Sequence, residues 1–237
     1  MKKFVISLDR TPERLNEFLK SNSTLDLFKF KAIDGLSISR EQLLHDGIID
    51  LSLKYSNGAI GCALSHITLW RHCVAINEPI TIIEDDCILH TDFHNTSEQL
   101  SSSVNDYDLI QWGWNFEAPI IYLHSSELGN LSVSYDHDHL LQNIESFKTH
   151  NCVSTLSKVI RFFGSTCYSI TPLGATKLIN LLLPLKDVYE YNNFFFTTNP
   201  GIDATLNYVH PIMNSFACIP PIAFTTNDKK KTTIQSN

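Results

Sequence analysis

Hydrophobic and polar positions in the first half of the chain alternate between short β-type runs and longer helical patterns. The residues around Phe4, Val5 and Ile6 are β-rich, and an alternating pattern follows a short helix. A run of β-branched residues then begins at Ile80, which is typical of a central strand buried on both faces. Strands are predicted over 3–8, 27–33, 80–83 and 107–112.

Helical periodicity separates these strands. Apolar residues recur at steps of three and four between Ile60 and Val74, which places them on one helix face. Thr11 is a good N-cap, and Pro12 is favoured at the first helical position. Helices are predicted over 12–21, 58–77, 172–183 and 203–209. The stretch 115–160 mixes short strands with polar loops, and the histidine-rich segment 135–140 is expected to be a solvated loop.

The alternation of strands and helices predicts an α/β fold. Strand–helix–strand units of this length imply parallel pairing with right-handed crossovers. Ligands bind such sheets at the carboxyl ends of the strands. Glu84, Asp85 and Asp86 directly follow the predicted central strand, so they are expected at that edge.

Composition excludes two classes of protein. The chain has 237 residues, 25 acidic and 18 basic side chains and a formal net charge of −7, and only five of its cations are arginines. A protein that binds nucleic acid through phosphates needs a basic face, so no nucleic-acid partner is expected. Apolar residues make up 43% and charged residues 18%, which are globular rather than disordered proportions.

The N-terminal pattern favours a cytoplasmic protein. The apolar stretch after Lys3 ends at Asp9, which is short for a secretory leader. The six cysteines are therefore expected to be reduced thiols. Cys62 and His66 stand four residues apart and could share a helix face, but no second close pair supports a zinc site.

The three adjacent carboxylates Glu84, Asp85 and Asp86 are the strongest chemical feature. Each charge raises the pKa of its neighbours, and a divalent cation such as Mn²⁺ or Mg²⁺ would remove that cost. The alternative is a solvated acidic loop that caps a helix beginning near Asp92, and a motif of three residues does not exclude it.

The context of these carboxylates resembles a known family. The block NGAIGCALSHITLWRHCVAINEPITIIEDDCIL (57–89) is similar to glycosyltransferase family 25, the lipooligosaccharide galactosyltransferase family that also has collagen-modifying members. Further similar segments follow in the family's order: ISLDRTPERL (6–15), KAIDG (31–35), GSTCYSITPLGATKLI (164–179) and GID (201–203). Ala59 stands where the family usually has glutamate, and 115–160 matches no known segment.

The resemblance implies a GT-A type fold, in which a Rossmann-like nucleotide-binding half with a mixed central sheet is fused to an acceptor-binding half. We expect one domain over 1–237, with halves over about 1–112 and 113–226 and a loose tail over 227–237. The resemblance also implies a UDP-sugar donor, most often UDP-galactose, a Mn²⁺ or Mg²⁺ cofactor, and inversion at the anomeric carbon.

Site roles follow from the resemblance together with strand-end positions. Asp86 is the predicted metal ligand, with Glu84 holding the metal, a metal-bound water or the ribose, and His210 as a further candidate ligand. Asp203 is the predicted catalytic base, because it opens a helix after Gly201, although it could simply be a first-turn acid. Glu117 is the second candidate base; it follows a Trp-Gly-Trp-Asn segment that resembles one in animal β-1,4-galactosyltransferases. The predicted donor contacts are Leu8, Asp9, Arg10, Arg14, Asp34, Gly35, Ser65, His66, Glu84, Asp85, Gly164 and Ser165.

Some alternatives stay open for these residues. Arg14 could reach a phosphate or pair with Glu17, and Trp112 and Trp114 could stack on a sugar or lie in the core. The expected acceptor is a lipid-linked oligosaccharide of lipooligosaccharide or lipopolysaccharide. The three lysines at 229–231 would give at most weak peripheral association with the inner face of the cytoplasmic membrane. Two other function classes are a metal-dependent phosphohydrolase and a catalytically inert nucleotide-sugar-binding module.

Overall fold

A nine-stranded mixed sheet organises the part of the chain that the structure describes. The structure is a computed structural model that describes residues 1–151, 153–187 and 201–227. The strands are β1 (Lys2–Ser7), β2 (Leu27–Lys31), β3 (Ile80–Glu84), β4 (Cys87–Leu89), β5 (Leu109–Gly113), β6 (Ile120–Ser125), β7 (Gly129–Val133), β8 (Thr155–Arg161), β9 (Cys167–Ile170), β10 (Ser215–Ile219) and β11 (Ala223–Thr225).

The helices cover both faces of this sheet. They are α1 (Pro12–Ser21), α2 (Arg40–His45), α3 (Asn57–Ile76), α4 (Phe93–Ser103), α5 (His137–Gln142), α6 (Ile144–Thr149), α7 (Pro172–Leu182) and α8 (Ile202–Val209), with short 3₁₀ turns at Gly35–Ser37 and His210–Ile212. The four predicted strands and four predicted helices are confirmed, with ends displaced by one or two residues. The α/β class with a mixed central sheet is therefore confirmed.

Strand order explains where a site can form. The large sheet runs β2-β1-β3-β9-β5-β10-β8-β6-β7, and β4 pairs with β11 in a separate ribbon. β2, β1 and β3 are parallel, β9 is antiparallel to both β3 and β5, and β10 is parallel to β5. Five mutually parallel strands thus end at one edge of the sheet, where the antiparallel strand β9 begins. They are β2, β1, β3, β5 and β10. Strands from both halves of the chain share this Rossmann-like sheet.

Side chains of β3 alternate between the two faces of the sheet. Ile80 and Ile82 pack in the cluster that contains α3 and α7, whereas Ile83 packs with Leu15 and Phe18 of α1. Successive residues of a strand point to opposite faces, so Glu84 is directed towards α3 and Asp85 towards α1.

The helix α3 packs closely against the end of β2. A Cβ on Gly61 would overlap the carbonyl oxygen of Ile33, so only glycine allows this approach. The Ser65 hydroxyl accepts a hydrogen bond from the Ile33 N–H at 2.9 Å and donates to the Gly61 carbonyl at 2.8 Å. By length and composition alone α3 could cross a membrane, but 56% of its most apolar window is buried within the protein.

One expectation about local structure needs correction, and two others concern residues that lie outside the described part of the chain. The segment 135–140, expected to be a solvated loop, contains the start of α5, because Asp136 caps it by accepting a hydrogen bond from the His139 N–H at 2.9 Å. Cys62, Cys73, Cys87 and Cys167 are free thiols as expected, and the Cys218 thiol donates a hydrogen bond to the Pro220 carbonyl at 3.3 Å. Cys152 and the tail beyond residue 227 lie outside the described residues.

Candidate functional site

The predicted acidic cluster lies at the sheet edge where five strands end. β3 ends at Glu84, and its N–H donates to the Thr166 carbonyl at 2.9 Å, which joins the acidic segment to the residues just before β9. The predicted residues Gly164 and Ser165 therefore adjoin the carboxylates, although almost eighty residues separate them in sequence.

Arg14 on α1 is the cation of this cluster. Its Nη2 lies 2.6 Å from Asp85 Oδ1 and 3.3 Å from Asp86 Oδ2. Arg14 thus pairs with the acidic segment rather than with Glu17, because alternation turns Asp85 towards α1, and its contact with a phosphate stays a prediction. Burial raises the pKa of Asp85, and the Arg14 charge opposes this rise.

Asp86 has the donor chemistry of a divalent-cation ligand. Its Oδ1 is buried and has no hydrogen-bond partner, although 31% of its side chain is exposed. Loss of water contact and then the Glu84 charge raise the pKa of Asp86 to about 7, despite Arg14. A carboxylate oxygen with no partner beside a second carboxylate fits Mn²⁺ or Mg²⁺, which prefer such ligands.

Asp203 approaches the same cluster from the first turn of α8. Its Oδ2 accepts a hydrogen bond from the Gly164 N–H at 3.1 Å. Burial raises the pKa of Asp203, the N–H groups of Ala204 and Gly164 oppose the rise, and the Glu84 charge adds to it. The structure therefore brings Asp203 within electrostatic range of the acidic strand end.

Gly164 has a backbone that suits this position. Its φ is +88°, and a Cβ there would lie 2.7 Å from the Asn115 nitrogen. Glycine adopts such a conformation without steric cost, so it can direct its N–H at Asp203.

His66 and Cys62 lie on the α3 side of Glu84. Among the described residues, Cys62, His66 and Glu84 form the one group of three potential ligand side chains whose ligand atoms all lie within 4.8 Å of one another. His66 Nε2 is 3.5 Å from Glu84 Oε1. Burial and then the charges of Glu84, Asp203 and Asp86 raise the pKa of the Cys62 thiol.

Most of the other predicted donor residues lie at the ends of β1 and β2, where charged side chains form ion pairs. Arg10 Nε donates to Asp34 Oδ2 at 2.9 Å, and Asp9 pairs with Lys29 at 2.7 Å and Lys31 at 2.9 Å. The Leu8 carbonyl accepts from the Thr11 N–H, and Gly35 begins the 3₁₀ turn beside α3. Ser65 is fully buried, and its hydroxyl is used by backbone groups.

Glu117 and His210, predicted as a candidate base and a candidate metal ligand, have surroundings that differ from those of the acidic cluster. Glu117 is exposed, and its Oε2 accepts a hydrogen bond from Asn227 Nδ2 at 2.9 Å. His210 is seven residues beyond Asp203, or about 10 Å along a helix. Its ring packs 4.5 Å from the Phe162 ring, and burial lowers its pKa to about 3. Its role as a metal ligand stays a prediction that these contacts do not support.

The tryptophans of the predicted sugar platform belong to the core. Trp112 and Trp114 are both fully buried, and Trp112 Nε1 donates to the Ser169 hydroxyl at 2.8 Å. Stacking on a sugar needs an exposed ring, so the core alternative is correct for both.

Sequence reasoning missed Tyr168, which touches the site through His66. Its hydroxyl lies 2.8 Å from His66 Nδ1 and accepts from Trp70 Nε1 at 2.8 Å. The signal in sequence was a single tyrosine in a strand. Its partners depend on the antiparallel pairing of β9 with β3, which no local pattern predicts.

Comparison with known proteins defines the class. The model of glycosyltransferase family 25, described as an LPS biosynthesis protein family, matches residues 1–194, and the chain belongs to this family. It is therefore a member of a glycosyltransferase family with an α/β fold.

Individual relatives are more distant. A glycosyltransferase 25 family member of Anopheles gambiae is 24% identical over 237 residues, covering 94% of this chain and 36% of the relative. One from Aedes aegypti is 31% identical over 124 residues, or 46% of this chain and 20% of the relative. A Rattus norvegicus relative, 31% identical over 126 residues, covering 46% of this chain and 22% of the relative, is named a probable inactive member. The chain thus spans about a fifth to a third of the length of these relatives.

Two transferases are among the solved structures to which the chain is similar. Mannose-1-phosphate geranyltransferase from Thermus thermophilus has a TM-score of 0.40 at 9% identity, covering 92% of this chain and 73% of that one. Inositol-1-phosphate CTP transferase from T. maritima has a TM-score of 0.39 at 8% identity, covering 98% and 73%.

Proposed function

We propose that this protein is a metal-dependent glycosyltransferase that moves a hexose, with galactose as the preferred sugar, from a UDP-sugar to a lipooligosaccharide or lipopolysaccharide acceptor. The transfer inverts the anomeric carbon and forms a β-linkage. One observation carries the proposal: the adjacent acids Glu84 and Asp86 and the distant Asp203 meet at one sheet edge, where the segment 164–166 contacts both through hydrogen bonds to Glu84 and Asp203. Family membership supports the transferase class.

Glu84 and Asp86 would hold Mn²⁺ or Mg²⁺. A divalent cation supplies stabilisation of the negative charge on the departing UDP. Arg14 holds Asp85 and one oxygen of Asp86, which leaves Asp86 Oδ1 directed away from that ion pair. The ends of β1 and β2, with Arg10 and Asp34, are the proposed contacts for the nucleoside.

Asp203 is the proposed base. As the acceptor oxygen bonds to the anomeric carbon and the bond to UDP breaks, the acceptor's hydroxyl proton passes to the Asp203 carboxylate. A raised pKa makes this carboxylate a better proton acceptor near neutral pH. The Gly164 N–H donates to Asp203 Oδ2, which fixes the orientation of the carboxylate towards the acidic strand end.

An inert nucleotide-sugar-binding module is the second candidate function. The observation that favours it is that relatives from Rattus norvegicus and Mus musculus are named inactive or probable inactive members. Such a module would bind UDP-sugar at the same edge without releasing UDP. Turnover therefore distinguishes the two candidates.

The direct test measures UDP release from UDP-galactose and UDP-glucose, with Mn²⁺ and truncated lipooligosaccharide as the acceptor. Acceptor-dependent UDP release, faster with UDP-galactose, is the expected result. Asp86→Ala should abolish Mn²⁺-dependent donor binding, whereas Asp138→Ala, at an exposed carboxylate of α5, should bind like the wild type. Donor binding without turnover on any glycan would favour the inert module, and free phosphate release would favour a hydrolase.

We also propose that this reaction takes place in the cytoplasm, at the inner face of the membrane that carries the lipid-linked acceptor. The supporting argument is chemical, since a lipid-linked glycan is met at a membrane surface while a UDP-sugar is water-soluble. Sedimentation with acceptor-bearing vesicles, compared with bare vesicles, tests this location.

A further inference from the structure

We propose that His66 is a positioning residue whose tautomer is set by Tyr168, so that its Nε2 carries a proton and donates it in a hydrogen bond to the Glu84 carboxylate. Only the consequence for metal and donor binding rests on the proposed function. The tautomer itself follows from contacts within the protein.

The direction of the hydrogen bonds determines the tautomer. Trp70 Nε1 lies 2.8 Å from the Tyr168 hydroxyl, and an indole N–H can only donate. The Tyr168 hydroxyl accepts that bond, and its own proton points to His66 Nδ1 at 2.8 Å. Nδ1 is then an acceptor, and a neutral imidazole must carry its proton on Nε2. With the opposite tautomer, the Tyr168 proton would have no acceptor among the contacts of the described residues.

The fold places this Nε2–H against Glu84. His66 and Trp70 are four residues apart on one face of α3. On the sheet, Tyr168 stands opposite Ile82, and Glu84 is two residues further along the same face of β3. His66 therefore lies between the tyrosine and the carboxylate.

Burial leaves the Nε2–H few other partners. His66 and Tyr168 are each 1% exposed, and His66 Nε2 is buried without a hydrogen-bond partner. Glu84 Oε1 is 3.5 Å away, and its side chain is 24% exposed, so it can move the few tenths of an ångström that a hydrogen bond needs. The chain Trp70–Tyr168–His66 thus extends from the core to a carboxylate that reaches the cleft.

The His66 N–H has a specific role at Glu84. Glu84, Asp86 and Asp203 place three carboxylates at one sheet edge, and their mutual repulsion opposes a fixed position of the Glu84 side chain. The His66 N–H holds one oxygen of Glu84 and fixes the direction of its carboxylate. Groups of this kind fix the orientation of metal-binding side chains, and their loss weakens metal binding about 10–100-fold.

A different metal site, formed by Cys62, His66 and Glu84, is incompatible with the Nε2–H tautomer of His66. Cys62, His66 and Glu84 could bind a thiolate-preferring metal, but His66 would then need a free lone pair on Nε2. That requires the proton on Nδ1, opposite to the arrangement that Tyr168 imposes. The thiolate site is therefore an outcome that would overturn the proposal.

Nitrogen-15 NMR of the metal-free protein tests the tautomer directly, with the His66 signals assigned from their loss in His66→Gln. The Nε2–H tautomer is expected in the wild type. Tyr168→Phe removes the group that sets it, so a mixture of tautomers is expected. Ile82→Val is the matched control, because Ile82 stands opposite Tyr168 in the same core but takes no part in the Trp70–Tyr168–His66 hydrogen bonds. A wild-type Nδ1–H tautomer would overturn the proposal.

Mn²⁺ affinity, measured from the electron paramagnetic resonance signal of free Mn²⁺, tests the positioning role. His66→Gln places an amide N–H near the position of Nε2 and should stay within about threefold of the wild type, whereas His66→Leu should bind about 10–100-fold more weakly. Equal affinity of both variants would contradict the positioning role. A Co²⁺–thiolate absorption band that Cys62→Ser abolishes would show the alternative site. Absence of Mn²⁺ binding in the wild type would count against the proposed metal, while the NMR result still decides the tautomer.

Discussion

Asp203 accepts a hydrogen bond from a backbone N–H that lies 39 residues earlier, at Gly164. This contact holds one carboxylate oxygen and orients the other. Asp203→Asn should keep Mn²⁺-dependent donor binding and lower kcat about 100–10,000-fold, the range for loss of a general base. Steady-state UDP release measures both quantities.

Glu117→Gln is the matched control for that prediction. Glu117 is exposed and hydrogen-bonded to Asn227, so its amide variant should retain the wild-type kcat. A normal kcat in Asp203→Asn together with a large loss in Glu117→Gln would reverse the assignment of the base.

Alanine substitutions at Gly164 and Gly129 distinguish the cost of a positive φ from the cost of steric overlap. Both have positive φ, +88° and +86°, but a Cβ on Gly129 would meet nothing within 4 Å, whereas one on Gly164 would meet Asn115. Gly129→Ala should lower the free energy of unfolding by about 1–2 kcal/mol. Gly164→Ala should cost at least about 1 kcal/mol more, because a neighbouring backbone must move. Urea denaturation measures the difference, and equal losses would contradict the overlap.

For single residues, the sequence predicted a role where the chemical type of the side chain was sufficient to indicate it. Glu84, Asp85 and Asp86 directly follow a buried strand, so the sequence alone indicated a charged segment at a strand end. The partners of Arg14 depended on which face of β3 each acid occupies, and the roles of Tyr168 and Trp112 depended on burial. Those properties arise only when distant strands pair.

At the scale of elements, two threonines that precede prolines provide a paired test of helix capping. Thr171 accepts a hydrogen bond from the Gly174 N–H at 3.0 Å at the start of α7, whereas Thr11 makes no side-chain cap at the start of α1. Thr171→Ala should lower the free energy of unfolding by about 1 kcal/mol. Thr11→Ala should change it by less than about 0.5 kcal/mol. Chemical denaturation of both variants checks this, and a larger loss at Thr11 would refute it.

The elements that the pattern predicted are those with an extensive buried face. α3 and β3 bury most of their apolar residues, so a long helical pattern and a continuous apolar run mark them in the sequence. The short elements α5, β4 and β11 were missed because a three-residue ribbon or a single capped turn carries little periodicity. They form because neighbouring segments supply their hydrogen bonds.

At the scale of the whole molecule, the acidic balance makes a prediction about donor binding. The net charge is −7, and both arginines near the site, Arg10 and Arg14, are paired with carboxylates. We therefore expect a diphosphate donor to require positive charge from a bound cation. UDP-sugar with Mn²⁺, at a hundred times the dissociation constant, should stabilise the protein by about 2.7 kcal/mol, and chelation should remove this effect.

Thermal unfolding with and without EDTA measures that effect, and excess Mn²⁺ should restore it. UDP-sugar alone, Mn²⁺ alone and UDP-sugar with Ca²⁺ serve as controls for the combined ligand. An equal rise of the melting temperature in EDTA would contradict the requirement for a cation.

Local sequence patterns predicted the α/β class, the long helices and strands, and three carboxylates at the end of a strand. These features depend on local periodicity and on the cost of adjacent like charges, which act between near neighbours in the chain. The pairing of distant segments, by contrast, brings Asp203 to the Gly164 N–H, Arg14 to Asp85 and the Tyr168 hydroxyl to His66. Each of these contacts joins segments that are far apart in sequence, and it forms because strand order and side-chain alternation direct the groups to the same side of one sheet edge.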